Sequence, residues 1–364
     1  MSEKTKDVLL SIFASLLCIV IGLLVGLIIL YCINAENAWN GFTRIIQGGF
    51  YLRPKGIGSE ISQAAPLIMT GLSVAFAFKT GLFNIGAAGQ YTVGIFGALF
   101  SAIILHMPWY LCLLTAMVCG AVWGAFPGFF KAYFNVNEVI TSIMFNWIGL
   151  YLVNELMYST FKGMYDQKTT RTYKLSSVSP SSLIPDMGLN SIFKTSSTTI
   201  AIFIAILIAI IMYIILNKTT FGYELKACGF NKDAAKYAGI NERRNIVLSM
   251  MISGALAGIG AGLYFLSGAA EWNPQVSTEL PGIGFNGIPV ALLAMSNPLG
   301  VIFAAIFVAH ISVGGAYLPT KYFQPEIANF IVAVIIYLCA FVMLFKSVVV
   351  SKLSRKKAKK EDVK

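Results

Sequence analysis

Gly222-Tyr223-Glu224-Leu225-Lys226-Ala227, a break at Asn231, then Ala234-Ala235 and Ala238-Gly239-Ile240 form a short, charged, Ala-rich stretch between long apolar runs. Asn231 is placed to cap a helix by accepting from backbone N–H groups two or three residues on. Gly239 supplies a left-handed stop. The short helix between them offers Ala234, Ala235, Tyr237 and Ala238 as small or flat contact residues, with Lys232, Asp233 and Lys236 around them. Such a segment suits a helix lying flat at a membrane surface, where another protein could grip it. Periodicity alone fits an interfacial helix without a partner equally well.

The rest of the chain fixes the setting. It is 57% hydrophobic and 12% charged, with a mean hydropathy of +0.74. A soluble domain of 364 residues cannot hide that much apolar sequence, so an all-α polytopic membrane protein is expected. Ten candidate spans occur, at 8–32, 62–79, 89–106, 109–131, 139–158, 199–216, 246–268, 283–296, 299–316 and 326–345. Without water in the hydrocarbon each must close its own backbone hydrogen bonds as a helix. The 33 glycines suit close helix packing in lipid. The first apolar run is too long for a secretory signal and reads as an uncleaved anchor. The six cysteines show no metal-ligand spacing, so no metal site is expected.

A net charge of +11 invites a nucleic-acid partner, but its distribution argues for none. Eight Lys and Arg lie beyond Phe345 in a basic tail, 346–364, and six lie in the loop 217–245. Both segments read as cytoplasmic, which puts both termini of the 1–345 membrane domain inside. The tail reads as an anionic-lipid contact. Loop 161–198, Ser/Thr-rich with Pro180 and Pro185, falls outside and reads as a spacer rather than a lid. Its five basic and two acidic residues are the weak point of this topology. The connection 33–61, with Trp39, Phe42, Phe50 and Tyr51, is suited to a short interfacial helix.

Two Gly-rich runs, 79–90 and 281–289, each hold a Phe-Asn and interrupt the apolar pattern. Matching interruptions in two halves point to a solute path between repeats, here spans two to five and seven to ten. Two Gly-rich turns at helix ends would look the same. Polar and aromatic residues that could line such a path are Asn84, Gln90, Thr141, Asn146, Trp147, Phe285 and Asn286. Amides and aromatics without fixed charge suit a neutral, hydroxyl-bearing, stackable solute. Each also has an ordinary structural reading, an amide gluing helices or a Trp marking an interface. Glu138 reads as a helix N-terminal residue favoured by the dipole, and His310 as a hydrogen-bonded core residue.

Gly222, Glu224, Lys226, Ala227, Asn231, Ala234, Ala235, Tyr237, Ala238, Gly239 and Ile240, followed by Ser253-Gly254-Ala255-Leu256-Ala257-Gly258, resemble the signature of the branched-chain-amino-acid/ribose/nucleoside class of ABC permeases. Phe83-Asn84-Ile85-Gly86-Ala87-Ala88-Gly89-Gln90 is similar to that class's other hallmark, although Ala88 stands where an acidic residue is more usual. Asn137-Glu138-Val139-Ile140 and 285–293 resemble the simple-sugar and nucleoside branch.

The resemblance implies a non-enzymatic subunit of an ATP-driven importer in a bacterial cell membrane. Its partners would be an ABC ATPase, a second permease chain and an extracytoplasmic substrate-binding protein. Gly222, Glu224, Lys226, Asn231, Ala234, Ala235, Ala238 and Gly239 would couple it to the ATPase. No cofactor is expected in this chain, because ATP and Mg would sit on the partner; no G-x-x-x-x-G-K-[ST] phosphate loop occurs. A nucleoside is the expected solute, with a simple sugar such as ribose or a branched-chain amino acid as alternatives. The rival of another class is an ion-coupled secondary transporter, which would want a mid-membrane carboxylate cluster. No catalytic constellation is found for a hydrolase or transferase.

Overall fold

The computed structural model describes residues 3–274 and 278–324, together with positions 330, 331, 333, 334, 337, 338 and 341. In chain order the helices are α1 (Glu3–Ile33), α2 (Ala38–Gln47), α3 (Lys55–Lys79), α4 (Ala87–Ile103), α5 (Trp109–Phe134), α6 (Glu138–Glu155), α7 (Leu175–Val178), α8 (Leu189–Phe193), α9 (Ala201–Lys218), α10 (Thr220–Phe230), α11 (Lys232–Tyr237), α12 (Glu242–Phe265), α13 (Gly282–Leu293) and α14 (Pro298–Ala316). Among the described residues, seven helical segments are long and apolar enough to cross a membrane, and α4 and α13 are shorter apolar helices. Nine of the ten expected spans thus coincide with helices. The tenth, 326–345, lies mostly outside the described residues, as does the basic tail.

α12 occupies the middle of the bundle and is held by backbone approach rather than by large side chains. A Cβ on Gly254 would collide with the Gly120 carbonyl of α5, and one on Gly258 with the Ala116 carbonyl. On another face Gly258 meets Gly94 of α4, and Gly260 faces Met69 of α3. α3 is the other buried helix; its residues from Ala64 to Ala77 are all sequestered. α13 crosses α3 where Gly287 meets Thr70 and Gly71 meets Val290. Lipid tails are as apolar as leucine, so only such close packing and hydrogen bonds favour helix contact over lipid contact.

Of the two expected interruptions, the first is present. Between α3 and α4 the chain leaves helical geometry, with Gly81 at φ +75°, and Asn84 turns back to bond with Ser73, six residues before the end of α3. The second differs. Residues 282–289 are helical despite Pro289, and the irregular stretch precedes them, after α12.

Loop 161–198 is also not the spacer its composition suggests. It carries a two-residue hairpin, Tyr165–Asp166 with Arg171–Thr172, besides α7 and α8. Two of its buried hydroxyls bond the backbone of other elements: Ser182 Oγ donates to the Met107 carbonyl and Thr198 Oγ1 to that of Gly58. Its own Met164, Leu175 and Ile184 are buried. These contacts fasten the loop across one end of the bundle, while Thr169, Thr170, Ser176, Ser177 and Ser181 stay exposed. The interfacial helix expected within 33–61 is present as α2, with Phe42 and Ile45 buried and Trp39 exposed.

Replacing Gly254 with Ala should force α5 and α12 apart. A loss of about 1–3 kcal/mol is expected, read as a lowered thermal midpoint of the purified chain in detergent, whereas Ala at the unobstructed Gly282 should leave the midpoint unchanged.

Candidate translocation path and coupling surface

The re-entrant turn between α3 and α4 carries Asn84 into the bundle as a fully buried amide. Its Nδ2 lies 2.8 Å from Gln90 Oε1, 2.8 Å from Ser253 Oγ and 3.2 Å from Ser73 Oγ. In return Gln90 Nε2 donates to Asn84 Oδ1 at 3.1 Å. Ser253 donates to the Ser73 backbone carbonyl. These four side chains tie α3, α4, the turn and α12 into one polar knot. Buried amides are costly unless paired, and both amides here are bonded to each other.

Asn146 of α6 clamps the same turn from the other side. Its Oδ1 accepts from the Gly89 N–H at 2.8 Å and its Nδ2 donates to the Ile85 carbonyl at 3.1 Å. Gly89 has no room for a Cβ, because Asn146 Cα lies where one would press. Ala88, between them, is covered by Gly284 of α13. α4 and α13 therefore approach each other closely at Ala88 and Gly284.

The structure therefore unites Asn84, Gln90 and Asn146, and brings the first turn of α13, with Asn286 half-buried and Phe285 36% exposed, against the same place. Thr141 lies on the buried face of α6 but donates to the Asn137 carbonyl within its own helix. Trp147 stands apart; it is 42% exposed on the opposite face of α6 and stacks on Tyr151. Sequence reading named neither Ser73 nor Ser253 as a site residue. A serine in an apolar helix gives no signal until its neighbour is known.

The 219–241 stretch has the caps expected at Asn231 and Gly239, and a further one at Thr219. Thr219 accepts from the Gly222 N–H at the start of α10. Asn231 Oδ1 accepts from Asp233 and Ala234 N–H at 3.0 Å each. Gly239 takes φ +80°, which lets its N–H reach the Lys236 carbonyl and the Ile240 N–H reach that of Ala235. Ala235 departs from the expectation: it is 4% exposed and seats α11 on the body instead of facing a partner. Gly222 is likewise buried, pressed on the Ile215 carbonyl. Glu224 and Lys226 are half-buried, and Asn231, Ala234, Ala238 and Gly239 are exposed. Two aromatic side chains of the stretch also project, Phe230 at 90% and Tyr237 at 95% exposure.

Beneath α10 lies an open cavity of about 420 Å³ lined by Gly81, Lys131, Glu138, Cys228, Gly229 and Asn245, among others. Glu138 is in the first turn of α6, as expected, and also pairs with Lys131 at 2.9 Å. At the other end of α12 a second cavity, of about 630 Å³, is lined by Arg171, Lys174, Phe265, Glu271, Trp272 and Asn273. Among the described residues no three His, Cys, Asp or Glu side chains are grouped as a metal site would require.

A helical membrane bundle with a broken, amide-bearing turn at its centre and a capped, projecting helix pair at one end has the make-up of a transport subunit. The chain belongs to the family of branched-chain amino acid transport system permease components, whose model matches residues 56–340. It is 36% identical over 349 residues to the guanosine ABC transporter permease protein NupP of Bacillus subtilis, covering 93% of this chain and 95% of that one. To the nucleoside ABC transporter permease protein NupB of Lactococcus lactis it is 35% identical, covering 99% and 100%. A glucose ABC transporter permease protein of Haloferax volcanii, TsgB13, is 28% identical across 74% of this chain and 72% of its own. The protein is thus a multi-pass membrane permease subunit, a transport component rather than an enzyme. That removes the ion-coupled secondary transporter from consideration.

Asn84→Ala should strand the Gln90 amide in a buried site, at a cost of about 1–3 kcal/mol. Thr141→Val, which removes only a bond within one helix, should cost less. Thermal unfolding of the two variants in detergent checks the order.

Proposed function

We propose that this permease carries a nucleoside inward across a bacterial cell membrane, driven by ATP hydrolysed on a separate ATPase. The observation that carries the reading is the near-full-length similarity to two permeases named for guanosine and nucleosides. A neutral, stackable, hydroxyl-bearing solute also agrees with the amide and aromatic character of the central turn and of α13. A simple sugar is the second reading, favoured by the relative named for glucose.

In this proposal a binding protein delivers solute at the end closed by loop 161–198. A second permease chain completes the path, and ATP with Mg binds the partner motor. Both termini and the segment 219–241 face the cytoplasm. Phe285 and Asn286 are the two candidate path residues with exposed or half-exposed side chains beside the central turn. Asn84 and Gln90, spent on each other in this conformation, serve the path by holding that turn in place. Phe230 and Tyr237 act as the anchors on the ATPase, since large aromatic side chains carry most energy at protein interfaces.

Co-expression of the chain with its genomic neighbours, followed by radiolabelled nucleoside uptake, tests this. ATP-dependent uptake that unlabelled nucleosides compete away, and ribose does not, is expected; competition by sugars alone would move the substrate. Gly239→Pro should lower uptake at least tenfold while the chain still inserts, because proline cannot adopt φ +80° or donate the N–H that closes α11. Undiminished uptake by that variant counts against the coupling assignment.

A further inference from the structure

The turn between α2 and α3 holds two adjacent glycines that make room for two different side chains. A Cβ on Gly48, whose φ is +49°, would overlap the imidazole ring of His310, and one on Gly49 would overlap a carboxylate oxygen of Glu60. Glu60 comes from the first half of α3 and His310 from the last half of α14. Their side chains are only 12% and 18% exposed. His310 Nδ1 lies 3.1 Å from Glu60 Oε2, and Nε2 lies 2.8 Å from the backbone carbonyl of Ile46, in the last turn of α2.

Counting hydrogens decides what this arrangement holds. A carbonyl only accepts, so Nε2 carries a hydrogen. The contact between Nδ1 and Oε2 then needs a second one, either on an imidazolium Nδ1 or on a protonated carboxyl. Neutral histidine with ionised glutamate would set a nitrogen lone pair against a carboxylate. The geometry is satisfied only when the pair holds one proton more than that state.

We propose that Glu60, His310 and the Ile46 carbonyl form a binding site for a single proton, and that this proton fastens the α2 cap to the ends of α3 and α14. No other charged group is bonded to the pair among the described residues. Arg44 of α2 donates to the Tyr317 carbonyl at 3.0 Å. Arg53 lies over Phe50, whose ring faces the imidazole. α13 brings no charged residue to α14, α9 has Lys218 only at its far end, and the remaining charges of α3 are Lys55 and Lys79 at its termini. As pH rises the pair gives up its proton, one hydrogen bond becomes a repulsion, and the cap loosens; on the acid side of that step the cap is fastened.

The chain has two histidines, and exposed His106 serves as an internal reference. With ¹⁵N-labelled histidine in the full chain in lipid nanodiscs, Nδ1 of His310 should carry a hydrogen-bonded proton at low pH and lose it as the pH is raised. Glu60→Gln supplies a permanent N–H to Nδ1, so in that variant His310 should keep the neutral Nε2–H form at pH values where the wild type still holds its proton. An Nδ1 without a hydrogen-bonded proton at any pH in the wild type overturns the site. This arm is independent of what the permease carries.

The second arm rests on the importer reading. In the reconstituted complex, nucleoside uptake by the wild type should fall at least threefold across the pH step at which Nδ1 loses its proton, and the Glu60→Gln profile should be flat across it. Equal profiles for the two proteins, with the NMR change present, overturn the fastening role. A complex with no ATP-dependent uptake at any pH condemns the importer reading and not the proton site.

Discussion

The fold depends on how closely backbones can approach α12. Gly254 and Gly258 put its main chain against the carbonyls of Gly120 and Ala116, and Gly258 also admits Gly94 of α4. In water such a helix would be driven inward by its apolar side chains. In lipid that driving force is absent, and contact has to be favoured by dispersion over many close atoms and by hydrogen bonds between helices. The glycines supply the first. The knot around Asn84 supplies the second, at the point where α3, α4 and α12 meet. Glycines on more than one face of α12 thus allow α3, α4 and α5 to be placed against it.

The polar knot has a particular geometric origin. α3 ends at Lys79 and α4 begins at Ala87, so the turn between them exposes backbone groups that a continuous helix would satisfy. Non-helical backbone is tolerated at membrane depth only where protein surrounds it. Here Asn146 supplies an acceptor and a donor to that backbone, at Gly89 and Ile85. Its side chain does for the turn what ladder bonds do inside a helix. The amide-rich composition that suggests a solute site from sequence is, in this conformation, largely the means by which a broken helix is kept stable. Phe285 and Asn286 of α13 remain to face outward from it.

Much of this was legible in the chain itself, for identifiable reasons. Span positions follow from runs of about 20 apolar residues, and the caps of α11 follow from Asn231 and Gly239 because capping chemistry is local. What failed were judgements about which side faces a partner. Ala235 reads as a contact residue and is buried; Trp147 reads as a path residue and lies on the far face of its helix. In six residues of α11 no periodicity is long enough to orient a face. The Ser/Thr-rich loop misleads for a related reason, since hydroxyls that bond backbone are indistinguishable in sequence from hydroxyls that bond water. Glu60 and His310, 250 residues apart, carry no joint signal at all.

The end of the bundle that carries α10 and the central knot are joined by the same device that builds the core. Gly229 of α10 rests on the Thr80–Gly81 peptide, and a Cβ on either glycine would overlap the other's backbone. Gly81 opens the turn that ends in Asn84. Side chains can absorb a displacement by changing rotamer; two backbones in contact cannot. A shift of α10 toward the bundle would therefore be passed to the turn undiminished, and from it to α3, α4 and α12 through bonds already in place. The path from the exposed Phe230 to Asn84 runs through one residue of α10 and one tight turn, so a displacement at α10 can reach the central turn without any long-range rearrangement of side chains.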